Sequence, residues 1–379
     1  MPPTLAGSTA YPRVYADRRA RVGSAPPWHD ERDTMTRVGL VGYGSSGATF
    51  HAPLLRAAGL DLVAVVSANP ERADQARAEN PGVTLVPDVG ALLALPGLDL
   101  VVVASPSGRH VENAEAIIEA GIAVVVDKPL ACDAGGAQGL VDLAAGRGVP
   151  LTVFQNRRYD PEFHTMRDLL HRGVLGELRR TEFRWERWRP VPKNRWRELV
   201  TPAEGGGLML DLHTHLIDQA VLLHGPVASV YAEVEAWTTT GEDDTFLALR
   251  HTSGYSTHLT ASSVAGAPGP RARIVGSTGT YLLGAAGDEP TAFPDANGAP
   301  DQHGWLVRGE EREPVLGLAG DAADFYREVA AALRSPEPQE GMPVDPRDAV
   351  HVLAVIDAAR VSSRDARVVD VLTPGEDPT

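Results

Sequence analysis

The chain has 379 residues, 43% of them hydrophobic and 22% charged, which is enough for two packed cores and sets two domains as the expectation. A formal net charge of −15 argues against nucleic acid or an anionic membrane surface as a partner, and no apolar run approaches the ~18 residues of a membrane span. A single cysteine, Cys132, rules out an internal disulfide and fits a reducing compartment, so a cytoplasmic protein is expected.

Residues 1–34 carry five prolines and scattered arginines without apolar periodicity, and read as a disordered tail without function. Asp17, Asp30, Glu31 and Asp33 make them a poor transit peptide. The first strand follows at once, over 37–42. It runs into Gly42-Tyr43-Gly44-Ser45-Ser46-Gly47 and then a helical pattern over 48–58. This is G-x-G-x-x-G between a strand and a helix: Gly42 for the tight turn, Gly44 for close approach to a pyrophosphate, Gly47 for helix–strand packing. The helix N-terminus adds free N–H groups and a favourable dipole.

Strand-like runs recur at 62–67, 83–86, 98–105, 122–126 and 151–154, with helical segments at 70–79, 89–95, 110–120 and 135–145 between them. Such alternation predicts a doubly wound parallel sheet, a Rossmann domain over 35–155. Past the second strand, where an acid would bond an NAD ribose, stand Ser67, Asn69 and Arg72. The absent carboxylate and the nearby arginine favour NADP over NAD, although Arg72 also suits an ordinary helix surface. Ser105, Pro106 and His110 follow the fourth strand, where such a sheet opens its ligand crevice. The fifth strand ends in Asp127-Lys128-Pro129, which points Lys128 into the same crevice and lets proline take a cis bond.

The remainder, 156–379, reads as an α+β domain with a large, mostly antiparallel sheet. Asn156, Arg157 and Tyr159 lie near the expected crevice as substrate contacts. A helix is predicted at 161–171, then strands at 177–188, 227–237, 245–251, 255–264 and 272–275, a loop over 284–304, and helices at 322–333 and 345–362. An aromatic and basic stretch, Arg184 to Arg189 and Lys193 to Arg197, suits the stacking and hydrogen bonding of a sugar; for each residue taken singly, an outer strand face or subunit contact is the stronger reading.

Gly205-Gly-Gly-Leu-Met-Leu-Asp211-Leu-His213-Thr-His215 places an acid and an imidazole four residues apart on one helical face, behind a triple glycine that permits close backbone approach. His215 suits a general base, Asp211 its orienting partner, and Lys128 an electrostatic stabiliser of the substrate oxygen. A metal shell of Asp211, His213, His215 and Asp218 is awkward on a helix, because His213 points away from the others. No metal is expected.

In their order, Gly42 to Gly47 with Phe50-His51-Ala52-Pro53, Ser105 to His110, Asp127-Lys128-Pro129, Gln155 to Asp160 and Gly207 to Asp218 resemble the Gfo/Idh/MocA family of oxidoreductases. The likeness leans to the branch with NADP-using scyllo-inositol dehydrogenases. The resemblance implies an NAD(P)-dependent dehydrogenase or reductase of a polyol, inositol or sugar, with Lys128, Asp211 and His215 as its catalytic group. It also implies C-terminal helices packed back on the first domain, and a homodimer or homotetramer. An NAD-recycling glycosidase and a nucleotide-binding regulator share the fold. Two departures stand out: Asp127 replaces the family's glutamate, and His213 stands where glycine is common, a candidate for narrowing the pocket or bonding substrate.

Overall fold

A computed structural model describes residues 35–284 and 302–372. The expected tail, 1–34, and most of the expected loop at 284–304 lie outside the described residues.

The first part of the chain alternates strands and helices. The strands are β1 (Arg37–Val41), β2 (Asp61–Val66), β3 (Thr84–Val86), β4 (Leu100–Val103), β5 (Ala123–Asp127) and β6 (Leu151–Phe154). Between them run α1 (Ala52–Ala57), α2 (Pro70–Glu79), α3 (Val89–Leu93), α4 (His110–Glu119) and α5 (Ala134–Arg147). The sheet order β3-β2-β1-β4-β5-β6, all parallel, is the doubly wound arrangement. Helices on both faces bury its central strands completely, which explains the unbroken apolar Leu100–Val103 and the Val124-Val125-Val126 run. Helix starts follow side-chain chemistry: Asn69, Asp88 and Asp133 each accept a backbone N–H in the first turn of the helix they precede.

After α6 (Pro161–His171) the chain builds a nine-stranded sheet. Its strands are β7 (Leu178–Glu186), β8 (Val227–Glu235), β9 (Asp244–His251), β10 (Ser256–Ser262), β11 (Ala272–Gly276), β12 (Thr280–Leu283), β13 (Gln302–Arg308), β14 (Glu311–Leu316) and β15 (Val369–Asp370). The order is β14-β13-β12-β11-β7-β10-β9-β8-β15. Every pairing is antiparallel except β7 with β10. The sequence reading lacked β12 to β15, and residues 302–304 belong to β13 rather than to a loop.

The remaining helices are α7 (Trp196–Leu199), α8 (Thr214–His224), α9 (Ala323–Leu333), α10 (Pro338–Gly341) and α11 (Pro346–Asp365). Helix α11 packs against both β8 and α5, and α9 packs on α1, so one hydrophobic core runs through both sheets. His51, Phe154, Phe325 and Tyr326 form an aromatic knot at that junction, with ring centroids 4.5–6.2 Å apart. No helix among the described residues is long and apolar enough to cross a membrane.

Candidate active site

A crevice of about 1330 Å³ opens at the carboxyl ends of β1, β4 and β5, and the start of α8 forms its far wall. Pockets for a single small ligand hold roughly 300–1,000 Å³, so there is room for a dinucleotide together with a substrate. At its floor the glycine turn is held by backbone. Gly42 has φ +99°, and a Cβ on it would lie 2.7 Å from the Ala104 carbonyl oxygen; one on Gly47 would lie 2.2 Å from that of Gly42. Any side chain there would push the turn out of shape, so the cradle that close approach to a pyrophosphate requires is built into the sequence.

Gly44, Ser45, Ser46, Ser67, Asn69 and Arg72 line this end. Arg72 leans over the turn, with Nη1 3.4 Å from where a Gly44 Cβ would stand. Asn69 spends its side-chain oxygen on the Arg72 N–H, and Ser67 donates to the Asn69 carbonyl. Tyr43 offers the crevice only backbone: its ring is buried and its hydroxyl donates to Glu79 at 2.7 Å. Ser105 and Pro106 line the crevice beside β4. His110 is fully buried, and its ring nitrogens face the carbonyls of Pro129 (2.7 Å) and Ser105 (2.9 Å). It braces the loops after β4 and β5 against each other and lines the same crevice. Burial, the largest influence, pulls its pKa down, and a neutral ring can donate to only one of the two carbonyls.

Asp127 is tied into the glycine turn. It accepts from Ser46 Oγ at 2.5 Å and from the Lys128 N–H at 2.8 Å, and lies 3.5 Å from His51 Nε2. Burial alone would raise its pKa; the His51 contact, the Lys128 charge and the Ser46 bond outweigh it and hold the carboxyl well below its usual range. His51 Nδ1 is 2.5 Å from Tyr326 Oη on α9. The chain Tyr326–His51–Asp127–Ser46 therefore links the C-terminal helices to the cofactor turn. The shorter carboxylate at 127 thus has its own set of partners. His51 appeared in the sequence only as part of the Phe50-His51-Ala52-Pro53 match.

Lys128 follows, joined to Pro129 by a cis bond. Its Nζ donates to the Asp211 carbonyl at 2.7 Å and to Oδ1 at 3.1 Å, and Arg197 Nη1 lies 3.7 Å from the same Oδ1. Burial favours neutral Lys128 and pulls its pKa down, partly offset by Asp211. Asp211 is held well below its usual range: burial opposes this, and the charges of Lys128 and then Arg197 prevail. His215 lines the same wall, 6% exposed, with the Trp185 ring 6.2 Å away. Burial first, then the charges of Lys128 and Arg157, push its pKa well below 6.5. A neutral imidazole beside a cation and a carboxylate can take a proton from a hydroxyl held between them.

The structure brings Lys128, Asp211, His215, Asn156 and Arg157 to one crevice and leaves two expected substrate residues out. Tyr159 turns away, donating to Glu328 at 2.8 Å and packing edge-on against Phe325. His213 is completely buried behind the wall. Its Nε2 lies 2.8 Å from Thr245 Oγ1, which itself donates to the Ala261 carbonyl, so the ring nitrogen is the donor. Met209–His213 is a π turn, and position 213, two residues from both Asp211 and His215, faces away from them towards β9. Asp218 is engaged by Arg158 at 2.5 Å, so no four-ligand shell forms, and among the described residues no group of His, Cys, Asp and Glu is placed to hold a metal.

Trp185, Arg187, Asn194, Arg195, Trp196 and Arg197 do line the crevice. The sequence reading favoured outer faces for such residues, because alternation along β7 does not say which face is covered. The triple glycine approaches the protein itself: a Cβ on Gly205 would lie 2.8 Å from Ser107 Cβ, and one on Gly206 2.2 Å from the Val200 carbonyl oxygen. It docks this segment on the loop that follows β4.

Residues 36–155 match a family model described as an oxidoreductase family with an NAD-binding Rossmann fold, and residues 163–282 match one described as the GFO/IDH/MocA C-terminal domain. The chain is 33% identical to YdgJ of Escherichia coli (strain K12), named an uncharacterized oxidoreductase, across 86% of this chain and 96% of that one. It is 31% identical to scyllo-inositol 2-dehydrogenase (NADP(+)) IolW of Bacillus subtilis (strain 168), across 89% and 96%. Among solved structures, an NAD-binding protein from Listeria innocua superposes with a TM-score of 0.76 at 25% identity, covering 88% of this chain and 96% of that one.

Proposed function

The chain belongs to the Gfo/Idh/MocA family of oxidoreductases, and from that premise we propose that it interconverts a secondary alcohol of a polyol, inositol or sugar with its ketone, using NADP in preference to NAD. The nicotinamide, when bound, accepts or returns the hydride. The protein's part is to hold the carbinol and move its proton. Lys128 Nζ and the Asp211 carboxylate bracket the substrate oxygen, and Lys128 favours the negative charge that grows there. His215, kept neutral by its surroundings, takes the hydroxyl proton during oxidation and returns one during reduction.

The observation that carries this reading is the meeting of Lys128 with Asp211 and His215 in the crevice that also holds the glycine cradle. The cofactor preference rests on Arg72 over the turn, on Ser67 and Asn69 where an acid would repel a 2′-phosphate, and on the NADP specificity in the name of the relative IolW. The purified chain, mixed with NADPH or NADH and a panel of inososes and keto-sugars, is expected to consume NADPH with at least one of them. Loss of the substrate with no net change in NADPH or NADH would point to the internal oxidation and return of a glycosidase instead.

A further inference from the structure

Charge around His215 is one-sided. The chain as a whole is strongly acidic at −15, yet Lys128, Arg157, Arg187, Arg195 and Arg197 all line the crevice there. Two of these have acids of their own: Arg157 pairs with Asp160 at 2.9 Å and Arg195 with Glu198 at 2.5 Å. Lys128 and Arg197 share Asp211, at 3.1 and 3.7 Å from the same oxygen. Asp127 also faces Lys128 but is engaged by Ser46 and His51, so Asp211 is shared among Lys128, Arg197 and Arg187 and positive potential is left over in a partly closed site, where it acts more strongly than in water.

The corner also holds donors that the protein does not satisfy. Two guanidinium groups lie over the Trp185 ring, Arg157 4.9 Å and Arg271 4.1 Å from its centroid. Trp185 Nε1 and Arg157 Nε are buried without a hydrogen-bond partner. Buried donors beside surplus cations, on a wall otherwise fit for stacking a sugar, are what a negatively charged substrate group would complete.

We propose that the substrate carries an anionic group of carboxylate or phosphate size, seated by Arg157 and Arg197 within reach of His215: a polyhydroxy acid or a polyol phosphate rather than a neutral inositol. This rests on the oxidoreductase reading above and narrows it. Arginine forks match both oxyanions in two-point geometry, whereas a neutral hydroxyl leaves the surplus charge unanswered. Cofactor phosphates do not account for these cations, because the phosphate cradle lies at the glycine turn, where Arg72 already stands.

The test uses the full chain loaded with NADP and three matched probes: glucose, glucuronate and glucose 6-phosphate. Calorimetric binding and cofactor turnover are measured at one ionic strength. Glucuronate or glucose 6-phosphate is expected to bind at least about tenfold more tightly than glucose, the worth of one charge-assisted bond, and which of the two wins tells carboxylate from phosphate. Arg157→Gln and, separately, Arg197→Gln should weaken the anionic probe by about tenfold more than they weaken glucose. Equal binding of glucose and both anions, no binding of either anion, or an equal loss for charged and neutral probes in both variants would overturn the proposal. Turnover of neutral polyols without anion preference overturns it too and leaves the oxidoreductase reading standing. Tight anion binding without turnover of any alcohol or ketone supports the anion seat and counts against that reading.

Discussion

Lys128 touches Asp211 twice, its Nζ 2.7 Å from the backbone carbonyl and 3.1 Å from Oδ1. The lysine ends β5 and the aspartate sits in the turn before α8, so the pair ties the cofactor sheet to the helix that carries His215. Because the carbonyl takes the shorter bond, the lysine is held in place whatever the carboxylate does. Lys128→Met and His215→Ala are each expected to lower kcat by about 10²–10³-fold, as loss of one electrostatic or proton-transfer group does, with NADPH affinity nearly unchanged. Steady-state kinetics beside a fluorescence titration of NADPH checks this, and wild-type turnover in either variant would remove that residue from the catalytic group.

Since burial and the charges of Lys128 and Arg157 depress the pKa of His215, its base form persists below pH 6.5. Alcohol oxidation needs that base form, so the acid limb of kcat/KM should fall below the ordinary histidine value. Arg157→Gln removes one of the charges and should move the limb upward. A pH–rate profile of both proteins decides it; an acid limb above 6.5 in the wild type would speak against His215 as the base.

Arg72→Ala should raise the KM for NADPH by about tenfold or more, the worth of one charge-assisted contact, and leave that for NADH nearly unchanged. Equal effects on the two cofactors would place Arg72 on the shared pyrophosphate or in the structure of the turn.

Arg158 is the centre of a buried ion group, bonded to Asp218 at 2.5 and 2.9 Å and to Asp348 at 2.9 Å. It joins the segment after β6 to α8 and α11. Arg158→Met would take the guanidinium from two acids, one of them the buried Asp218, whose pKa burial already raises. The expected loss is about 3–5 kcal/mol in urea denaturation, against a far smaller change for the double variant that also carries Asp218→Leu.

Burial lowers the pKa of His213 and His224 to about 3 and of His251 to about 4. Unfolding frees these rings to bind protons near pH 6.5, so acid favours the unfolded chain. Stability from the three is complete above that pH and is lost as pH falls towards 4, by about 1.4 kcal/mol per ring per unit. Urea denaturation measured through that window tests the slope, and His213→Gln should lower it by the share of one ring, about 1.4 kcal/mol per unit.

Much of this was legible from residues alone, for physical reasons. Parallel strands covered on both faces must be continuously apolar, so β4 and β5 announced themselves. Strands β12 to β15 were hidden because β12 and β15 are short, while β13 and β14 contain Gly304 and Pro314, and their edge pairing depends on a sheet assembled elsewhere. In the site, spacing found Lys128, Asp211 and His215. It could not place Arg197, Trp185 or His51, whose roles come from contacts 14 to 275 positions away along the chain, as between Arg197 and Asp211 and between His51 and Tyr326. His213 lies in a π turn; helical spacing already faced it away from Asp211 and His215, and its expected place at the substrate came only from the family resemblance.

That turn has a counterpart: Gly47–His51, the segment leading into α1, is also a π turn, closed by the Ala52 N–H on the Gly47 carbonyl five residues back. Both helices facing the crevice therefore begin with what amounts to one surplus residue. Deleting a residue such as Leu212 would turn everything upstream by about 100° about the helix axis, swinging Asp211 off Lys128 while His215 kept its place. The common aim of acid and base thus hangs on a single surplus residue, and the buried Met209 and Leu210 that would turn with Asp211 hold that residue in place.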